Sequence, residues 1–162
     1  MAATPLAATD RFFAPTVTKI VFCTAVANKL SPTRSEIDAG KELSGECSAV
    51  NGFTVSGNQI DAPDYGTEFT SKTPGRTEAA DSSLVFYQSR DTDDVRNVLP
   101  RTTTGFVLMM WGGDVPTQLM DVFPVTVTSA GKSIPDNADA DITVMFAITS
   151  KPAEDVAIPA AA

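Results

Sequence analysis

The side chains that most often carry catalysis or hold metals are scarce in this sequence. It contains no histidine, which removes the commonest general base and a frequent metal ligand. The densest run of carboxylates is formed by Asp91, Asp93 and Asp94. Its spacing is not that of a calcium loop and it lacks the closing glutamate, so we interpret these residues as helix-capping groups and predict no metal site.

Two other patterns resemble functional motifs only in part. Gly131-Lys132-Ser133 has the form of the end of a phosphate-binding loop, but the first glycine of that motif would fall at position 126, which is Thr126. Trp111 and Tyr65 could stack on a ligand, so a ligand-binding β-sandwich is one alternative. A hydrolase is another alternative, because paired carboxylates can come from distant positions in the sequence, although no feature favours it. We therefore predict no enzyme and no cofactor.

Cysteine content and charge restrict the remaining functions. Cys23 and Cys47 are predicted to be buried thiols in a reducing compartment, with a disulfide between them as the alternative. The net charge is −8, and an acidic surface repels nucleic-acid phosphates. A DNA-gripping protein is therefore disfavoured, and no apolar run is long enough to predict insertion into a membrane.

The elements that must position any site are mainly β-strands. Residues 142–149 alternate between two faces, which is typical of a strand with one face in a core. One face carries Ile142, Val144, Phe146 and Ile148, and the other carries Thr143, Met145, Ala147 and Thr149. Residues 105–111 are apolar throughout and suit a strand covered on both faces. Further strands are predicted at residues 17–24, 49–56, 82–89 and 123–128, with a connecting loop at residues 129–139. We divide the chain into an N-terminal arm at residues 1–16, one β domain at residues 17–150 and a C-terminal arm at residues 151–162.

Two helical segments are predicted beside the strands. Residues 91–99 have acidic residues at the start, an apolar stripe of Val95, Val98 and Leu99, and Pro100 as a stop. A helix of about two turns is not stable alone, so this stripe is expected to pack on the sheets. A weaker turn is predicted at residues 33–39, where Thr33 and Glu36 have the spacing of a capping box.

The longest irregular stretch is residues 58–81. Loops of this length in compact domains are commonly functional, and this one carries residue types enriched at interfaces. We predict that it is a docking loop with a brief strand-like piece at residues 65–70. Its candidate contact residues are Tyr65, Phe69, Thr73, Pro74, Gly75 and Arg76.

The order of these segments is similar to that of the major tail tube proteins of bacteriophages with long, non-contractile (siphovirus-type) tails. The resemblance covers residues 17–150 and is carried by several short runs in a fixed order, none of which is diagnostic alone. They are Glu42-Leu43-Ser44-Gly45-Glu46-Cys47, Thr73-Pro74-Gly75-Arg76, Phe86-Tyr87, Arg90-Asp91, the apolar residues 106–111 and Asp121-Val122-Phe123-Pro124-Val125-Thr126-Val127. Residues 106–111 are not interrupted or followed by the basic residues expected in the family, and we expect no C-terminal immunoglobulin-like domain.

The resemblance implies a fold of two packed antiparallel sheets, as a β-sandwich or barrel, with one short flanking α-helix. It implies a structural virion protein whose copies close into rings, of six subunits, that stack into a tube through which DNA is delivered without specific binding. The loop and arms would reach the next ring, and carboxylates would line the bore. The implied partners are further copies of this chain and the tape-measure, tail-tip and tail-terminator proteins, with assembly in the host cytoplasm and a final location in the virion tail. The alternatives are a capsid decoration or tail-tip subunit and the β-sandwich ligand-binding module.

Overall fold

A computed structural model describes residues 3–161, and its fold is mainly β with little helix. The one α-helix of this part of the chain, α1, spans Arg34–Asp38. Short 3-10 turns occupy Ala14–Thr16, Ser44–Glu46 and Val95–Asn97. The ten strands are β1 (Lys19–Cys23), β2 (Lys41–Glu42), β3 (Cys47–Asn51), β4 (Val55–Ala62), β5 (Ser71–Ala79), β6 (Ser82–Tyr87), β7 (Thr104–Met110), β8 (Leu119–Ser133), β9 (Asp141–Ile148) and β10 (Ala153–Ala157).

The strands form two antiparallel sheets, as predicted. Eight strands make one large sheet in the order β2-β1-β7-β8-β9-β6-β3, with β10 pairing beside β9 along the same edge of β8. The end strands β2 and β3 are separated by only residues 43–46, so the sheet must curl until its two ends nearly meet. Leu43 joins them, because its N–H donates to the carbonyl of Ile20 and its side chain is buried. The second sheet is the hairpin of β4 and β5.

The curled sheet encloses the main core, which we call the inner core. It is built from inward-facing residues of strands at both ends of the sheet, among them Phe22, Phe86, Val107, Phe123 and Phe146. Phe53 packs edge-on against Phe123 with ring centroids 5.2 Å apart. The inward-facing residues of β6, β8 and β9 alternate with period two along each strand, so their burial confirms the faces predicted from the sequence.

A second core, which we call the outer core, covers the outside of one part of the sheet. It joins Leu108, Met110 and Val122 to Ile37 of α1 and to Val156 of β10. Residues Val107, Leu108, Met109 and Met110 are all fully buried, which confirms the prediction that the apolar strand at residues 105–111 is covered on both faces. We call β1, β7, β10 and residues 119–126 of β8 the covered half, and β3, β6, β9 and residues 129–133 of β8 the open half.

Of the two predicted helical segments, the weaker one forms an α-helix and the stronger one does not. The capping box at Thr33 is present, with Glu36 N–H donating to the Thr33 hydroxyl and the Glu36 carboxylate accepting from the Thr33 backbone N–H at 2.7 Å, and the weaker prediction is the true α-helix. The prediction of an α-helix at residues 91–99 is wrong, because only a 3-10 turn forms and its cap is Asp94. Val95, Val98 and Leu99 nevertheless face the inner core, with Leu99 fully buried. Core contacts, which sequence periodicity does not reveal, hold this segment in place as a short 3-10 turn.

Three boundaries also differ from prediction. The stretch at residues 58–81 is not irregular, since β4 and β5 pair from Val55–Ala79 to Ala62–Ser71 and leave only residues 63–70 as a loop; residues 65–70 contain no strand. The single strand predicted at residues 49–56 is broken between β3 and β4, where Gly52 and Phe53 have positive φ angles. β8 continues to Ser133 through residues predicted as loop. Within the predicted C-terminal arm, β10 pairs with β8.

Candidate assembly surfaces

The open half of the sheet presents a bare face to the outside. Register places Ala49, Val85, Thr143 and Gly131 side by side across its four strands, and Asn51, Ser83, Met145 and Ser129 in the next row. These residues are exposed or partly exposed, and Tyr87 at one end is 47% exposed. Among the outward side chains of this face only Asp141 is charged, although the chain as a whole carries a net charge of −8. The sheet therefore has an uncharged surface of hydroxyl-bearing and small apolar residues.

The open half also ends in two edges that no strand of residues 3–161 pairs with. β3 pairs with β6 alone in the described structure, so the other edge of β3 is unpaired. On the opposite side, β8 pairs with β7 only as far as Thr126 and with residues 102–103 at Val127. Beyond the irregularity between Val127 and Ser129, the side of β8 away from β9 has no strand beside it among residues 3–161. Such edges are templates for pairing with another chain.

The hairpin of β4 and β5 extends the pair β3–β6 outward as an arm. Gly52 makes the kink at its base, with φ +76° and a position where a β-carbon would lie 2.2 Å from the carbonyl of Asp81. The tip carries the exposed aromatic side chains of Tyr65 and Phe69, and Phe69 is 79% exposed. Lys72 and Asp61 form an ion pair across the hairpin at 2.5 Å.

All six predicted contact residues lie on this arm, in two separate groups. Tyr65 and Phe69 lie in the tip, whereas Thr73, Pro74, Gly75 and Arg76 belong to β5. Pro74 pairs with Gln59 next to a register shift, a position that tolerates proline within a two-stranded ribbon. The inter-subunit role of these six residues stays a prediction.

A polar clamp fastens α1 to the covered half. The Arg34 guanidinium donates two hydrogen bonds to the Asp114 carboxylate, at 2.6 and 2.7 Å, and one to Asp38 at 2.8 Å. The Arg34 hydrogen bonds hold the pKa of Asp114 below its ordinary value. The Glu36 pKa is lowered because its carboxylate accepts from the N–H groups of Ala27 and Thr33. Sequence spacing suggests the bond to Asp38, but Asp114 lies 80 residues away and is found only from the fold.

The turn at Val95–Asn97 binds the free side of β8. The Arg96 guanidinium donates to the carbonyl of Ala130 through both Nε and Nη2. Lys132 Nζ lies 2.9 Å from Asp94 Oδ2, and the Lys132 hydrogen bond lowers the pKa of Asp94. A cleft of about 490 Å³ opens between this turn and residues 41–46, and Phe86, Val98, Glu46 and Asp93 are among the residues that line it. Sequence analysis did not predict this contact. The only signal in the sequence was that each of the two segments carries a basic residue, Arg96 in the turn and Lys132 in β8.

The chemistry available at these surfaces is that of packing and hydrogen bonding. Both cysteines are free thiols, with Cys23 buried and Cys47 partly exposed on β3. Burial raises the pKa of Cys23 to about 11, with a further contribution from Glu36. In the described part of the chain no group of three or more potential ligands is placed to hold a metal ion. No helix between residues 3 and 161 has both the length and the apolar character needed to span a membrane.

The geometry is that of a mainly β protein whose curled antiparallel sheet has one bare face, two edges without a partner strand and a projecting hairpin. The sequence matches the family model described as phage tail tube protein over residues 7–161. The chain therefore belongs to the phage tail tube protein family, and its role is structural, in the virion tail.

A solved structure supports the fold. The chain is similar to a protein in the "Cryo-EM structure of the anti-feeding prophage (AFP) baseplate, 6-fold symmetrised", with a TM-score of 0.54 and 11% sequence identity. The match covers 92% of this chain and 95% of the other. No curated protein matches the sequence.

Proposed function

We propose that this chain is the subunit of a tail tube of siphovirus type, whose copies close into rings and whose rings stack into a conduit for DNA. The carrying observation is the open half of the sheet, which has one bare face and two free edges. A ring joins each free edge to another and so removes them all. We infer no catalytic activity and no cofactor.

The strand directions suit closure into a ring. The open half contains four strands that alternate in direction, so β3 of one copy runs antiparallel to β8 of the next when the copies are related by rotation. An odd number of strands would have set parallel strands side by side at every junction. We propose six subunits per ring, in keeping with the resemblance to a protein from an assembly described as six-fold symmetrised.

The bare face of the open half would then line the bore. Its outward residues are Ser, Thr, Ala, Gly, Val, Met, Asn and Tyr, with Asp141 at one end. The wall we propose differs from the carboxylate-lined bore expected from the sequence. It keeps DNA moving chiefly because it offers no cations to phosphates, which supply most of the affinity in non-specific binding. A phage carrying Thr143→Lys should deliver DNA more slowly, and normal infectivity would exclude this wall.

Stacking is assigned to the arm. The aromatic side chains of Tyr65 and Phe69 are exposed at its tip and have no role within the monomer, whereas aromatic residues are enriched at the centres of interfaces. We propose that the tip contacts the next ring. The tape-measure, tail-tip and tail-terminator proteins would contact the ends or the interior of the tube, after assembly in the host cytoplasm.

The test is negative-stain electron microscopy of the purified protein at rising concentration and of lysates from infected cells. Hollow tubes of uniform diameter with a regular axial repeat are expected. Tyr65→Ser/Phe69→Ser should leave rings that do not stack, with Trp111→Ser as the control for loss of an exposed aromatic residue outside the arm and the bare face. Monomers or closed single particles alone, with the chain absent from isolated tails, would overturn the proposal.

A further inference from the structure

The free side of β8 can be located from the direction of its backbone groups. In a strand, residues whose side chains share a face also direct their N–H and C=O groups to the same edge. Val127 faces the inner core and bonds to Thr103 on the side away from β9. Ala130 packs on the same core after the irregularity, so its carbonyl points to that same free side.

This free side is occupied in the single chain. The Ala130 carbonyl accepts from Arg96, and Lys132 is held by Asp94 at 2.9 Å. Both partners belong to residues 94–99, which we call the edge cover. The side chain of Asp94 is 9% exposed and that of Lys132 is 35% exposed, so the acid of this ion pair is buried while the base can be reached from outside. Charged groups on a strand edge are a known means of preventing edge-to-edge association.

The other free edge carries the opposite charge at the same level. Cross-strand register aligns Cys47 with Phe86, Phe86 with Ile142 and Ile142 with Lys132. Rotation of a second copy therefore brings its β3 beside β8 with Glu46, which directly precedes β3, close to Lys132. Glu46 is exposed and forms no ion pair among residues 3–161.

We propose that the β8 edge at Ala130 and Lys132 is the docking site for β3 of a second copy, and that Lys132 exchanges Asp94 for Glu46 of that copy on docking. This inference rests on the proposed function, because it names the junction by which the ring closes. The edge cover keeps a single subunit from pairing at random, and docking replaces its bond to Ala130 with backbone hydrogen bonds. The partner is a second copy because its edge matches this one in strand direction, level and charge.

Charge reversal with rescue tests the junction. Lys132→Glu and Glu46→Lys should each raise the concentration needed for tube formation by about tenfold or more, because like charges then face each other. The double variant Lys132→Glu/Glu46→Lys restores the pair between copies and should return assembly to within about threefold of the wild type, an inter-copy coupling of the kind that double-mutant cycles measure. Lys151→Glu makes the same charge change away from this edge and is the control. Assembly is measured by sedimentation and electron microscopy, after circular dichroism shows that each variant is folded.

A second variant tests the cover by itself. Arg96→Ala frees the Ala130 carbonyl and should shorten the lag before tubes form, with Arg90→Ala as the control. If the wild type forms tubes, the junction is overturned by either of two results: Glu46→Lys assembles normally, or the double variant shows no rescue. Both results leave the proposed function intact. An unchanged or longer lag in Arg96→Ala would overturn the cover. Absence of wild-type tubes would instead count against the proposed function.

Discussion

The covered and open halves of the sheet share the long strand β8 but use it differently. Near its start both faces of β8 are buried, with Met120 and Val122 in the outer core and Phe123 in the inner core. Near its end one face meets the inner core at Ala130 and the other is bare at Gly131. The covered half therefore completes its packing within one chain, whereas the open half leaves a face and two edges for other copies.

The largest expected contrast comes from truncating one side chain in each half. Leu108→Ala removes a fully buried leucine from the covered half and should lower the free energy of unfolding by about 3–4 kcal/mol. Thr143→Ala on the bare face should change it by less than about 0.5 kcal/mol. Urea unfolding of the two variants measures both values, and similar losses would contradict the division into halves.

A glycine in each region gives the next contrast. Gly52→Ala should destabilise the protein by about 3 kcal/mol, because φ is +76° and the new β-carbon meets the backbone of Asp81 and Ser82. Gly131→Ala has open space around it and should be neutral or stabilise by up to about 1 kcal/mol. Thermal unfolding of both variants tests this, and a stable Gly52→Ala protein would exclude the kink at the base of the arm.

The clamp on the covered half predicts a dependence on acid. Because the folded-state pKa of Asp114 is lowered by Arg34, its stabilisation is present above its unfolded pKa of about 3.9 and is lost as the pH falls through the folded value. Asp94 and Glu36 have lowered pKa values and contribute with the same sign.

The clamp can be tested with one variant of each acid that binds Arg34. Asp114→Asn should cost about 1–2 kcal/mol at neutral pH and flatten the loss of stability on acidification. Asp38→Asn, which removes the more exposed partner of the same arginine, should cost less. Urea unfolding between pH 7 and pH 3 checks this, and equal slopes in the wild type and Asp114→Asn would rule the clamp out as a source of the acid sensitivity.

The smallest effect is one of reactivity, with one native cysteine in each half. Cys23 is buried and its pKa is raised to about 11, whereas Cys47 is partly exposed although burial raises its pKa too. Cys47 should therefore react with a maleimide at least about ten times faster in the folded monomer. Mass spectrometry of partly labelled protein gives the two rates. If Cys23 reacted as fast as Cys47, the outer core would not protect Cys23 from solvent.

The outcome of sequence reasoning follows the same division. Strands with clear alternation or continuous apolar character, such as residues 105–111 and 142–149, were predicted within a few residues, because periodicity records burial directly. The exposed arm was predicted as a loop, since Pro74 and Gly75 are common in loops. The strands β4 and β5 are exposed over most of their length, so burial does not produce an alternation of apolar and polar residues in their sequence. The predicted helix at residues 91–99 failed for a related reason: its apolar stripe is real, but core contacts hold it in a shorter turn.

Residue types and local patterns were enough to predict a β-rich chain with a net charge of −8 and with segments in the order typical of tail tube proteins. These properties depend on residue type and near neighbours. Three features are visible only in the tertiary structure: β2 and β3 nearly meet, and one half of the sheet is bare. In addition, Arg96 and Asp94 contact Ala130 and Lys132. Those contacts join residues tens of positions apart, and their geometry is set by the curl and register of the sheet, which no local pattern encodes.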